Sequence, residues 1–122
     1  MSTWREAVGG RIASFGHALS GLAFVVRNEP NARLHLAATV VVVALGALLR
    51  ISAADWRWLA LAIAIVWLAE VLNTAIEHLC DVVSPDHKPA VRLAKDVASG
   101  AVLIAALAAA VLGLMVFLPY LR

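Results

Sequence analysis

Apolar residues follow two different patterns along this chain. Between residues 3 and 28 they recur at spacings of three and four (Trp4, Val8, Ile12, Phe15, Leu19, Leu22, Val26), which marks one face of an amphipathic helix. The opposite face carries Arg5, Glu6, Arg11, His17 and Ser20, so this segment is expected to lie on a membrane surface rather than cross it. A charged corner, Arg27-Asn28-Glu29, ends at Pro30, which breaks the pattern. Beyond it the periodicity gives way to three runs that are apolar on all sides, at 34–49, 57–78 and 97–118. The first has 16 residues, short for a span, and Arg33 and His35 at its start are expected to snorkel to the interface. A polar hinge at 50–57 places Trp56 and Trp58 where an aromatic belt would stand. A polar loop at 81–96 precedes the third run, whose many alanines and glycines suit close helix packing in lipid. The pattern predicts an all-α integral membrane protein, with three transmembrane helices and an N-terminal amphipathic surface helix in a single domain, 1–122.

Composition sharpens this picture. The chain has 122 residues, 63% of them hydrophobic, far above a soluble domain. Its mean hydropathy of +0.90 agrees. Three spans make a thin bundle, so a homo-oligomer is expected. The formal charge of +2 is small and the basic residues are scattered, which argues against nucleic acid as a partner. The lone Cys80 reads as a small residue at a helix end, and no cleavable signal peptide is visible in the first thirty residues. His35 and His87 do not form a zinc pattern. Seven Lys and Arg lie in the N-terminal segment and the 78–96 loop, against three at the hinge and C-terminus. That bias places the N-terminus and the long loop in the cytoplasm.

The candidate chemistry sits on the second run. Ionisable residues at membrane depth pair, face a bundle interior or do chemistry. At 100° per residue, Asn73 lies about 60° from Glu70, and Glu77 and Asp81 each about 20° from it, on one narrow stripe. The stripe opens toward the cytoplasm, with Glu70 about 10 Å below Glu77. Glu29, Glu77, Asp81 and the Lys95-Asp96 pair then gather at one face. Carboxylates beside a lysine at a water–lipid boundary suit a magnesium-nucleotide site. Glu70, deeper, suits a general base for a lipid hydroxyl that Asn73 would orient. The same residues also suit a blander role: Glu70 and Asn73 as interhelical hydrogen-bond glue, and the others as solvated charges. Composition and spacing leave a lipid kinase beside a small transporter or assembly subunit. No Walker loop is present.

The stretch Glu70-Val-Leu-Asn73-Thr-Ala-Ile-Glu77-His-Leu-Cys-Asp81 resembles the signature of the prokaryotic diacylglycerol kinase family. Ala94-Lys95-Asp96-Val-Ala-Ser99-Gly resembles its second block, and Glu29 within Asn28-Glu29-Pro-Asn31-Ala-Arg33-Leu-His35 a third, so the resemblance spans about residues 15–119. It implies a homotrimer with active sites shared between protomers, in the bacterial inner membrane, phosphorylating a lipid alcohol with ATP and Mg²⁺. By motif, Glu70 is the proton acceptor and Glu29 and Glu77 hold the metal. Lys95 and Asp96 contact ATP beside the loop Asp86-His87-Lys88, with Arg11 and His17 contributed by the N-terminal helix. Asn73 and Ser99 line the lipid site. The corner Glu29-x-Asn31-x-Arg33-x-His35 and the end Val116-Phe117-Leu118-Pro119 resemble the branch that acts chiefly on undecaprenol, so Asn31 and Arg33 join the candidate lipid contacts. Diacylglycerol is the alternative substrate.

Overall fold

In the computed structural model of the chain, which describes residues 3–122, four α-helices follow one another. They are α1 (Trp4–Asn28), α2 (Pro30–Leu49), α3 (Ala53–Val83) and α4 (Pro89–Phe117), and a 3₁₀ turn, Leu118–Leu121, closes the chain. Among the described residues there is no strand. Three of these segments, Pro30–Leu49, Ala53–Val83 and Pro89–Leu121, are long and apolar enough to cross a membrane.

Local chemistry sets each helix end. α1 starts in a capping box: the Glu6 N–H donates to Thr3 Oγ1 and the Thr3 N–H donates to Glu6 Oε2. α2 begins with Pro30 in its first turn and stops at Arg50, whose left-handed backbone (φ 53°) ends the helical ladder. Ser52 caps α3 by accepting the Asp55 N–H at 3.1 Å. These caps lie outside the apolar runs, so α3 has 31 residues, well beyond what the hydrocarbon core requires. A helix ends where a cap or a proline stops it, not where the polarity changes.

α3 packs along α4 and, less extensively, against α2, while α1 touches the others near its C-terminal end, where Val25 is buried. Toward its N-terminus the apolar face of α1 is uncovered, with Trp4 74% and Phe15 73% exposed. A hydrophobic core cluster lies at the end of the bundle away from the acidic stripe. There Ile51, Leu59, Val116 and Phe117 form a buried cluster ringed by Val42, Leu45, Leu49, Trp56 and Tyr120. Trp58 is exposed, as an aromatic belt requires, but Trp56 turns inward. Its indole lies against Gly46, where an added Cβ would stand 2.8 Å from Trp56 Cη2. The Tyr120 hydroxyl ties the same end together, donating to Asp55 Oδ2 at 2.6 Å and accepting the Ser52 N–H at 3.0 Å.

Candidate functional site

The inner end of the stripe on α3 holds most of the buried polar side chains among the described residues. Glu70 is 1% exposed, Thr74 3% and Asn73 7%. A helix places residues 70, 73, 74 and 77 on one side, and here that side is turned inward. The Thr74 hydroxyl is satisfied locally, donating to the Glu70 carbonyl at 3.0 Å. Asn73 is held only loosely, its Nδ2 donating to Glu77 Oε1 at 3.5 Å. Asn73 Oδ1 and Glu70 Oε2 are buried without a hydrogen-bond partner. Polar atoms in that state are rare in native interiors.

Glu70 faces α2. Its Oε2 lies 3.3 Å from Nε2 of His35, close enough for an ion-pair contact although not aligned as a hydrogen bond. His35 therefore points into the bundle instead of snorkelling outward. Arg33, expected among the lipid contacts, turns back on α1: its guanidinium donates to the carbonyl oxygens of Val26 and Arg27. Those are the unpaired carbonyls at a helix C-terminus, which attract a cation. Asn31, its neighbour in the first turn of α2, is exposed.

Glu29 is the single residue between α1 and α2, and its carboxylate stands 3.9 Å from His78 Nε2. His78 follows Glu77 directly and also meets Phe24 edge-on, with ring centroids 5.2 Å apart. Lys95 is bound by Asp81, with 2.5 Å between Nζ and Oδ1. The lysine holds the Asp81 carboxyl below its ordinary range, and Asp81 in turn raises the Lys95 amine. Asp96 and Ser99 are exposed on α4. Asp86, His87 and Lys88 lie in the exposed α3–α4 loop, where His87 adopts a left-handed backbone (φ 54°). A cavity of about 90 Å³ opens between His87, Val91, Arg92 and Lys95, a basic lining to which Arg92 adds a charge. Arg11 and His17 sit on the exposed reach of α1, without an ion pair or side-chain hydrogen bond among the described residues.

Among the described residues, no group of three or more His, Cys, Asp or Glu side chains converges as a closed metal cage. The acidic residues do suit a more open ion. Mg²⁺ is commonly held by one or two carboxylates completed by phosphate oxygens and water. Glu77 and Glu29, each half-buried, are of that kind.

Residues 16–117 of the chain match the family described as Prokaryotic diacylglycerol kinase. The chain belongs to that family. One relative, an undecaprenol kinase of Bacillus subtilis, is 40% identical over 108 residues, which cover 88% of each chain. Another, a diacylglycerol kinase of Synechocystis sp., is 36% identical over 109 residues, 88% of this chain and 62% of that one. Within this kinase family fold, the site gains two residues that periodicity could not assign, His35 against Glu70 and His78 against Glu29. Their only signal in the sequence is a titratable ring inside, or at the mouth of, an otherwise apolar helix.

Proposed function

We propose that this chain, a lipid kinase of the family, transfers the γ-phosphoryl group of ATP to the hydroxyl of a membrane lipid alcohol, undecaprenol in preference to diacylglycerol. The observation that carries this reading is Glu70: an acid 1% exposed in an apolar helix, with one oxygen lacking a hydrogen bond. An acid so placed is suited to receive a proton from a hydroxyl held at membrane depth. The Bacillus relative, matched over 88% of both chains, and the Glu29–His35 corner support undecaprenol.

In this mechanism the lipid hydroxyl donates its proton to Glu70 while its oxygen bonds to the γ-phosphorus. The bond from that phosphorus to the β–γ bridging oxygen breaks, and ADP leaves. The loosely held Asn73 amide turns to donate to the hydroxyl oxygen and fixes its direction. Glu29 and Glu77 would hold Mg²⁺, which when bound offsets the charge of the nucleotide phosphates. Lys95 exchanges Asp81 for phosphate oxygens, and Asp96, the 86–88 loop, Arg11 and His17 complete the nucleotide side. Ser99, Asn31 and Arg33 border the lipid side. The spans are residues 34–49, 57–78 and 97–118 of one domain, crossing the bacterial inner membrane with the N-terminus and the 78–96 loop cytoplasmic. The apolar surfaces left open on α1, α2 and α4 support a homotrimer with shared sites.

The test is transfer of labelled phosphate from ATP, with magnesium, in mixed micelles containing undecaprenol or diacylglycerol. The expected result is label on undecaprenol at the higher kcat/KM. A preference for diacylglycerol would overturn the substrate assignment, and label on neither lipid would overturn the kinase reading.

A further inference from the structure

Four side chains make a compact square between α2 and α3. His35 and Thr39, four residues apart, share one face of α2, and Trp67 and Glu70, three apart, share the facing side of α3. The Trp67 indole N–H donates to Thr39 Oγ1 at 3.0 Å, and the Thr39 hydroxyl donates to the His35 carbonyl at 2.7 Å. The Trp67 ring also stands edge-on to the His35 imidazole, with centroids 6.5 Å apart and planes inclined by 66°. The histidine is thus held at its backbone and against its ring, while its Nε2 faces the buried Glu70 oxygen that has no hydrogen bond. A side chain secured in this way, 18% exposed and 3.3 Å from the group it faces, has few other places to point.

We propose that His35 is a positioning residue for Glu70. With the proton on Nε2, a small rotation of the ring aligns it as a donor to Glu70 Oε2 and fixes one carboxylate oxygen. The other oxygen is then aimed at the lipid hydroxyl. Trp67 and Thr39 keep the imidazole in register. The proposal rests on the reading of Glu70 as the proton acceptor, and it adds the reason why an isolated acid in an apolar helix holds one orientation. A donor to a charged group is worth more than a neutral pair, and inside a bundle water is poorly placed to replace it.

The test compares His35→Gln with His35→Met in the full-length chain, using the phosphate-transfer assay with the preferred lipid. Both replacements are unbranched and similar in volume, but only glutamine keeps a donor near the position of Nε2. Loss of the donor in His35→Met is expected to lower kcat between about 10-fold and 100-fold. His35→Gln is expected to stay within about threefold of wild type, and the KM for ATP to stay within about twofold in both. Equal losses in the two variants would mean that the histidine acts through shape alone, and unchanged kcat in both would mean that it does not act on Glu70. Either result overturns the proposal while leaving the kinase reading in place. A wild-type chain that labels no lipid defeats the kinase reading itself, and the positioning role with it. Should His35→Met fail to fold, Trp67→Phe removes the indole donor to Thr39 and loosens the same square. A fall in kcat at constant KM for ATP is expected there, and an unchanged kcat overturns the proposal.

Discussion

Gly46 is where the packing of α2 on α3 can be measured. A Cβ at this position would lie 2.8 Å from Trp56 Cη2, 3.0 Å from Cζ2 and 3.2 Å from Ile51 Cδ1. Ordinary carbon contacts need about 3.5 Å or more, so Gly46→Ala forces either the indole or α2 to retreat by roughly 0.7 Å. The indole is rigid and belongs to the ring around the Ile51, Leu59, Val116 and Phe117 cluster, so it has little room. Overpacking of this kind costs about 1–3 kcal/mol, against which alanine regains about 1 kcal/mol of helix propensity. The controls are Gly100→Ala and Gly113→Ala, whose added Cβ atoms would meet nothing within 4 Å and which gain the propensity term alone. Unfolding in mixed micelles by added SDS, followed by circular dichroism, should therefore place Gly46→Ala about 1–3 kcal/mol below Gly113→Ala. His35 lies 11 residues away along α2, about 16 Å, so a tilt of this helix also moves His35 relative to Glu70 and should lower kcat. If Gly46→Ala is as stable as Gly113→Ala, the close approach of α2 to Trp56 is wrong.

Four further outcomes follow from the site and the opposite end. Glu70→Gln keeps size and an acceptor but removes the base, so kcat should fall by about 10²- to 10⁴-fold. The KM for ATP should hardly change, because Glu70 lies about 10 Å along the helix from Glu77; a collapse of nucleotide binding would refute the assignment. Lys95→Met should raise the KM for ATP about tenfold or more, by removing a cation from the phosphate side; an unchanged KM would exclude that contact. In wild type the Lys95–Asp81 pair should persist across neutral pH. It is lost only as pH falls through the lowered Asp81 pKa or rises through the raised Lys95 pKa, so protonation of Asp81 or deprotonation of Lys95 near neutrality would contradict it. Tyr120→Phe removes a donor to Asp55 and an acceptor for Ser52, and should cost about 1–3 kcal/mol in SDS unfolding. It should leave kcat nearly intact, since Asp55 and Glu70 are about 22 Å apart along α3.

The four helices were legible in the sequence because their signals are local. The period of α1, the proline after Glu29 and the three apolar runs each belong to a few neighbouring residues. The stripe on α3 was legible for the same reason: three acids and an amide stand out in an apolar background. What faces the stripe was not. An apolar run such as 34–49 looks alike on every side, so nothing in it says that His35 and Thr39 turn toward Trp67 and Glu70. Arg33 could not be placed from the sequence, because a cation at the start of a span has two suitable homes, the interface and the open carbonyls of a preceding helix. Only the sharp corner at Glu29 brings the second within reach. Trp56 was ambiguous for a related reason, since an aromatic belt and a glycine-lined notch both suit an indole, and the notch was supplied by Gly46 across the hinge.

The joint between α1 and α2 is one residue long. Pro30 restricts the residue before it to extended backbone, and Glu29 sits there, with φ −103° and ψ 115°. Its side chain makes no capping bond with α2, so the carboxylate is left for the His78 and Glu77 side of the bundle. A joint with no spare residues works as a crank. The first helix cannot swing without turning Glu29, so in the proposed mechanism the carboxylate meant for the metal would be held by the backbone of the corner, with no flexible loop to order.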